Sequence, residues 1–247
     1  MDRGDTEKQA RIRDRLTSRT TSSTEDIYFS IIKAKIRPVT TLLDIGCGTG
    51  HIIVQLAPLQ QRTFLCGLDI SPAMVRIARV RTKEYGNVSI LEADGLNLPF
   101  ADGSFDIVAT RLAEFAPAEA YRVLRPCGLF FECGLGPESD KEIREFFSNR
   151  IIEENFCLPK HPNRWHDEIA APVEQTGFAI DEATDHKQYD YYDGIDGVMD
   201  LIEMVPLVEN FDRDIDRPIV EKLVEKYNTP RGVRITWHYY IIQAHRT

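Results

Sequence analysis

Three carboxylates and three glycines define the chemistry to be explained. Asp44 closes an apolar run and is followed by glycine at every second position, Gly46, Gly48 and Gly50, within LLDIGCGTG (42–50). Asp69 closes a second apolar run, TFLCGLD, and Asp94 follows a third in Ala93-Asp94-Gly95. Glycines in such a turn allow positive φ and let a ligand approach the main chain with no Cβ in the way. Asp69 lies 19 residues after Gly50, a separation at which an acidic side chain accepts both hydroxyls of a ribose. The set therefore predicts a nucleoside-containing ligand.

The elements that must hold these residues are legible from hydrophobic periodicity. Strands are predicted at Thr41–Ile45, Thr63–Asp69, Asn87–Glu92, Phe105–Thr110 and over LFFECG after Gly128. Between them lie helices running to about Ala57, from the Ser71-Pro72 cap to a stop at Gly86, and over Pro117 to Leu124. That alternation predicts right-handed crossovers and a parallel α/β sheet of Rossmann-like, doubly wound type. In such a sheet ligands sit outside the carboxyl ends of the strands, so all three carboxylates face one crevice. Beyond Gly136 the expected elements are short helices over Asp140–Phe147 and Arg164–Gln175, a long strand from Phe178, and a final strand Gly232–His245. Near the start, Glu25–Ile36 reads as a helix that either pads the sheet edge or turns Tyr28 or Phe29 into the ligand site. Residues before it are charged, with a loose first helix and a flexible stretch at Thr17–Thr24.

Composition narrows the function. The net charge of −9 argues against general nucleic-acid binding, which depends on phosphate neutralisation. Five cysteines with no CxxC pair read as buried free thiols, and no ligand spacing for a metal is visible. No signal-peptide pattern or membrane-length apolar run is present, so a soluble cytoplasmic protein with no membrane partner is expected. Dinucleotide sites use GxGxxG, whereas this chain has GxGxG followed by His51. Three carboxylates also suit a cation better than a diphosphate. S-adenosyl-L-methionine, with a ribose, an adenine, a sulfonium charge and no phosphate, fits both constraints.

At these residues the chain resembles the class I S-adenosylmethionine-dependent methyltransferases, especially the ubiquinone-biosynthesis-like and small-molecule branch. The matching stretches are LLDIGCGTG (42–50), GLDISPAMVRIAR (67–79), EADGLNLPFADGSFDIV (92–108) and AYRVLRPCG (120–128). The resemblance implies a cofactor site of Asp44, Gly46, Cys47, Gly48, Gly50, Asp69, Ile70, Met74, Asp94, Gly95, Leu96 and Arg111. It places the methionine moiety on the backbone of Gly46–Gly48, the ribose on Asp69 and the adenine against Ile70 and Met74. Asp94 then takes the adenine amine, Gly95 and Leu96 flank the ring, and Arg111 borders the amino-acid end. The implied activity is in-line methyl transfer to a small-molecule acceptor, which needs alignment and a dry site more than acid–base groups.

Two departures stand out. Cys127 occupies a position that is usually glycine in the family, which predicts a different turn. The stretch after the fourth strand, TRLAEFAPAEA, is short and, with Phe115 its one aromatic and no histidine, lacks the set of aromatic and histidine residues common there. No catalytic base is nominated among His51, His161, His166, His186 and Tyr28. Competing readings are an NAD-dependent oxidoreductase and a non-catalytic cofactor-binding protein.

The whole chain reads as one domain. Residues 25–136 form the cofactor core, 137–192 and 232–247 complete the sheet, and 193–231 are a helical insertion. The sixth strand is expected to run parallel to the first five, ending near Tyr192, with the last strand antiparallel. In the insertion Ile195, Val198, Met199 and Ile202 form one apolar helical face, and Val220, Leu223, Val224 and Tyr227 a second, with Asp216 as its cap. These helices either pad the core or form a lid over the acceptor, together with the segment from Phe147 to Phe156.

Overall fold

The structure, a computed structural model, describes residues 7–19, 23–59, 62–152, 165–205 and 207–247. One twisted sheet organises it. Five strands fall where the periodicity places them: β1 (Thr41–Ile45), β2 (Phe64–Asp69), β3 (Val88–Glu92), β4 (Phe105–Arg111) and β5 (Leu124–Leu135). β6 (Phe178–Tyr192), the two-residue β7 (Asn228–Thr229) and β8 (Gly232–Arg246) complete the sheet. The order is β3-β2-β1-β4-β5-β8-β6, with β7 folded back on β8. Neighbours among β1–β5 pair in parallel, while β8 is antiparallel to both β5 and β6. β6 therefore runs with the first five strands, as expected. The β7–β8 hairpin is new, because two residues are too few to show a period.

Helices cover both faces. On one face lie α2 (Ser23–Lys35), α3 (His51–Leu56), α4 (Pro72–Thr82) and α6 (Lys141–Phe146), joined by α8 (Gly194–Met204) and α9 (Arg217–Tyr227). On the other lie α5 (Pro117–Val123) and α7 (Trp165–Glu174). β8 shows why its sequence is almost continuously apolar. Ile235, Trp237, Tyr239 and Ile241 pack on the first face, and Tyr240, Ile242 and Ala244 on the second. A central strand buries both faces.

Several expectations need correction. α4 ends at Thr82 and not at Gly86: beyond it the chain closes a tighter turn, the Tyr85 amide donating to the Thr82 carbonyl at 3.0 Å. Cys127 adopts φ 61°, so the turn keeps its left-handed residue although the side chain is not glycine. Its side chain is exposed, which leaves room for the strained conformation. Asp216 holds the N-cap position of α9, its carbonyl accepting the Ile219 and Val220 amides at 3.0 and 3.1 Å, but its side chain makes no capping bond. It is buried, accepts Arg150 Nη2 at 2.7 Å and the Asp212 amide at 3.0 Å, and so anchors the preceding loop. Part of the stretch expected to be flexible is helical: α1 (Glu7–Arg19) reaches past Thr17, and α2 begins at Ser23. Cys157, His161 and residues 153–156 of the Phe147–Phe156 segment lie outside the described residues.

Candidate active site

The glycine loop joins β1 to α3. Gly46, Gly48 and Gly50 have φ of 72°, 53° and 76°. At Gly46 a Cβ would collide with the side chain of Ala113, so the glycine lets the loop after β4 close against the loop after β1. At Gly48 a Cβ would meet nothing within 4 Å and would project into open space. The buried Cys47 holds the loop to β2 by donating its N–H to the Leu68 carbonyl at 2.9 Å. Asp69 completes the cradle. Its Oδ2 accepts the Gly48 amide and its Oδ1 the Ser71 amide, each at 2.9 Å. Ser71 in turn caps α4 by accepting the Met74 amide at 3.4 Å.

Asp44 lies behind this cradle and is buried. Burial pushes its carboxyl up to about 7, the Asp69 charge adds to the rise, and Arg111 opposes it. Tyr28 reaches the same region from α2, fully buried, with its hydroxyl donating to the Thr110 carbonyl at 2.9 Å. Of the two residues proposed to face inward from that helix, Tyr28 does so and Phe29 is half-buried. The Arg111 guanidinium lies 6.0 Å from the centre of the Tyr239 ring.

The third carboxylate stands at the rim. Asp94 is exposed, and its Oδ1 accepts the Leu96 amide at 2.9 Å in a local turn. Gly95 is required by packing, since a Cβ would stand 2.7 Å from the Glu114 carbonyl oxygen and 2.8 Å from Ile45 Cγ2. Ile70 is 40% exposed beside Asp69, whereas Met74 is fully buried against Ala73 and Ala10.

Ala10 belongs to α1, whose role sequence reasoning missed. This helix ties the cofactor side to the insertion. Glu7 and Asp14 pair with Arg76 and Arg81 of α4, while Lys8 and Arg15 pair with Glu203 and Asp200 of α8. Arg81 also donates to the Thr49 carbonyl at 2.9 Å, so α1 is linked to the glycine loop. The available signal was small: Ala10 and Ile12 are the buried residues of a highly charged segment.

The candidate bases separate. His51 begins α3, and His186 on β6 pairs with Thr184 at 3.1 Å. The side chain of His166 lies outside the described residues. No group of three metal-ligating side chains is present among the described residues. No helix among them is long and apolar enough to cross a membrane.

Residues 42–128 match the family model described as a methyltransferase domain. YcgJ of Bacillus subtilis, an uncharacterized methyltransferase, is 30% identical over 158 residues, which is 60% of this chain and 62% of that protein. Its solved structure superposes with a TM-score of 0.63 at 20% identity, covering 90% of this chain and 98% of the other. Over residues 42–128 the chain is thus similar to the class I S-adenosylmethionine-dependent methyltransferases. It is also similar to the O-methyltransferase rstn1 of Aspergillus nomiae, 31% identical over 161 residues, covering 58% of this chain and 66% of that protein. The demethylmenaquinone methyltransferase of Thermus thermophilus is 39% identical over 95 residues, covering 35% of this chain and 43% of that protein. The matched sequence thus spans less than two thirds of the length of each of these relatives.

The family's cofactor is S-adenosyl-L-methionine, and the residues present fit it. The open side of Gly48 leaves room against the backbone, Asp69 stands beside that space, and Asp44 offers negative charge.

Proposed function

We propose that this chain transfers a methyl group from S-adenosyl-L-methionine to a small-molecule acceptor. The observation that carries the reading is Asp69 at the end of β2, bonded to Gly48, whose missing side chain leaves the cradle open. When bound, the cofactor supplies an electrophilic methyl group on a sulfonium. The rest of the work is orientation. Gly46–Gly48 hold the methionine part through backbone groups, and Asp69 takes the ribose diol. Ile70 lies on the adenine, Met74 backs that wall from beneath α1, and Asp94 takes the adenine amine between Gly95 and Leu96. Arg111 borders the amino-acid end, and Asp44 balances positive charge there. In-line displacement then requires an acceptor held over the carboxyl ends of β4 and β5, away from water.

In this reading residues 25–136 are the cofactor core, and 193–231 cover the acceptor side. Support for the second part is that Val198, Met199, Val220 and Leu223 pack in the same cluster as Tyr28 and Tyr239. Methyl-labelled cofactor incubated with protein and a metabolite extract, with mass identification of the product, tests the reading. Absence of any labelled product would sink it.

A further inference from the structure

Asp140 is 1% exposed, and neither oxygen of its carboxylate has a hydrogen-bond partner. It stands just beyond the carboxyl end of β5, immediately before α6. Its backbone is left-handed at φ 52°, and its N–H donates to the Thr236 carbonyl of β8 at 2.8 Å. A short loop thus holds a carboxylate inside the protein without giving it a donor. That arrangement is costly in the free molecule.

The neighbouring groups do not relieve it. Glu142 is engaged with Thr236, accepting its amide at 2.9 Å and its hydroxyl at 2.5 Å. Arg144, close enough to lower the Asp140 carboxyl, donates through Nη2 to the Pro137 carbonyl at 2.5 Å, and its buried Nε has no partner. Asp190 of β6 adds a second buried carboxylate. Burial is the largest influence and pushes Asp140 up to about 7.

The position matters as much as the charge. Residue alternation puts Tyr239 and Trp237 of β8 on the same sheet face as Asp190 and Tyr192 of β6. Tyr192 lies near both Asp140 and Asp190. The Trp237 ring stacks on Tyr239 with centroids 5.5 Å apart and planes 5° from parallel. Tyr239 in turn lies under Arg111, which borders Asp44 and the cofactor cradle. A row of aromatic side chains, buried beneath α8 and α9, therefore runs from beside Arg111 towards Asp140.

We propose that Asp140 anchors the methyl acceptor through a hydrogen-bond donor on it, a hydroxyl or a protonated amine, while the acceptor's apolar body lies along Tyr239 and Trp237. An acceptor that presents a carboxylate at this position is rejected by Asp140 and Asp190 together. The proposal rests on the methyl-transfer reading above.

Asp140→Asn and Asp140→Leu test it. Calorimetry with S-adenosylhomocysteine is expected to give affinities within about twofold of the unaltered protein, because Asp140 does not touch the cofactor cradle. Melting temperatures at pH 8 are expected to equal or exceed that of the unaltered protein, since an unpartnered buried charge is removed. Methyl label from the cofactor is followed into a metabolite extract separated by ion exchange into cationic, neutral and anionic pools. Incorporation is expected in the cationic or neutral pool, and is expected to fall about tenfold or more in both variants. Lower melting temperatures with undiminished incorporation would overturn the proposal and make Asp140 a structural group. Incorporation confined to the anionic pool would also overturn it. If the unaltered protein labels nothing, the methyl-transfer reading fails. The proposal, which rests on that reading, then falls with it, whereas undiminished incorporation by the variants overturns the proposal alone.

Discussion

Asp69 accepts the Gly48 amide at 2.9 Å, a bond that joins the carboxyl end of β2 to the glycine loop after β1. One side chain thereby sets the loop shape and presents an acceptor to the cradle. Asp69→Ala is expected to weaken binding of S-adenosylhomocysteine by roughly 2–4 kcal/mol, about 30- to 1,000-fold, from the loss of two charge-assisted hydrogen bonds. Calorimetry on the folded variant checks this; an unchanged dissociation constant would place the ribose elsewhere.

Gly48→Val should abolish cofactor binding while unfolding stays cooperative. The residue has φ 53°, and its Cβ would enter the open side of the cradle. Left-handed backbone costs a branched residue roughly 1–2 kcal/mol, so a modest drop in melting temperature is expected as well. Normal binding by this variant would refute the assignment of the loop.

Cofactor affinity should depend on pH through Asp44, whose carboxyl lies at about 7. A bound sulfonium favours the charged carboxylate, so binding below pH 7 releases a proton and affinity rises with pH. Between pH 6 and 7.5 a rise of roughly three- to tenfold is expected for S-adenosylmethionine, and a flat profile for Asp44→Asn. Identical profiles for the two proteins would contradict the role given to Asp44.

Glu132 should make the fold less stable in base. Its carboxyl is buried and pushed up to about 7, although the Tyr240 hydroxyl donates to it at 2.7 Å. The folded state holds this proton more tightly than the unfolded chain. Its contribution is therefore complete below the ordinary glutamate range and is lost as pH rises through about 7. The loss is on the order of 3 kcal/mol. Glu132→Gln is expected to raise the melting temperature at pH 8 and not at pH 5. An equal shift at both values would show that ionisation is not the cause.

The insertion should open and close with ligand. α1 and α8 are joined by the Lys8–Glu203 and Arg15–Asp200 pairs, so they are expected to respond together. In hydrogen exchange, Ile195–Tyr227 should be less protected than β1 and β4 in the free protein and gain protection with S-adenosylhomocysteine. Protection equal to that of the central strands, and unaffected by ligand, would identify these helices as core padding.

Sequence alone determined the half of the molecule whose signals are local. Apolar runs ending in Asp44 and Asp69, glycines at alternate positions and the Ser71-Pro72 cap each state their own geometry within a few residues, so β1 to β4 and the cofactor loop were legible. The parallel sheet followed because strand–helix alternation leaves few ways to connect the chain. Tertiary structure decided what depends on distant partners. Cys127 keeps a left-handed turn with no glycine to announce it. Asp216 is the N-cap residue of α9, but its side chain goes to Arg150, 66 residues away, and not to the helix amides. The covering position of α1 depends on ion pairs to α4 and α8, which no spacing within the helix encodes. Asp140 is an ordinary surface-type residue in sequence. It becomes a buried carboxylate only because β8 inserts between β5 and β6 and offers Thr236 to its backbone. Burial and charge coupling are properties of the packed sheet, and they arise only once strands distant in the chain have met.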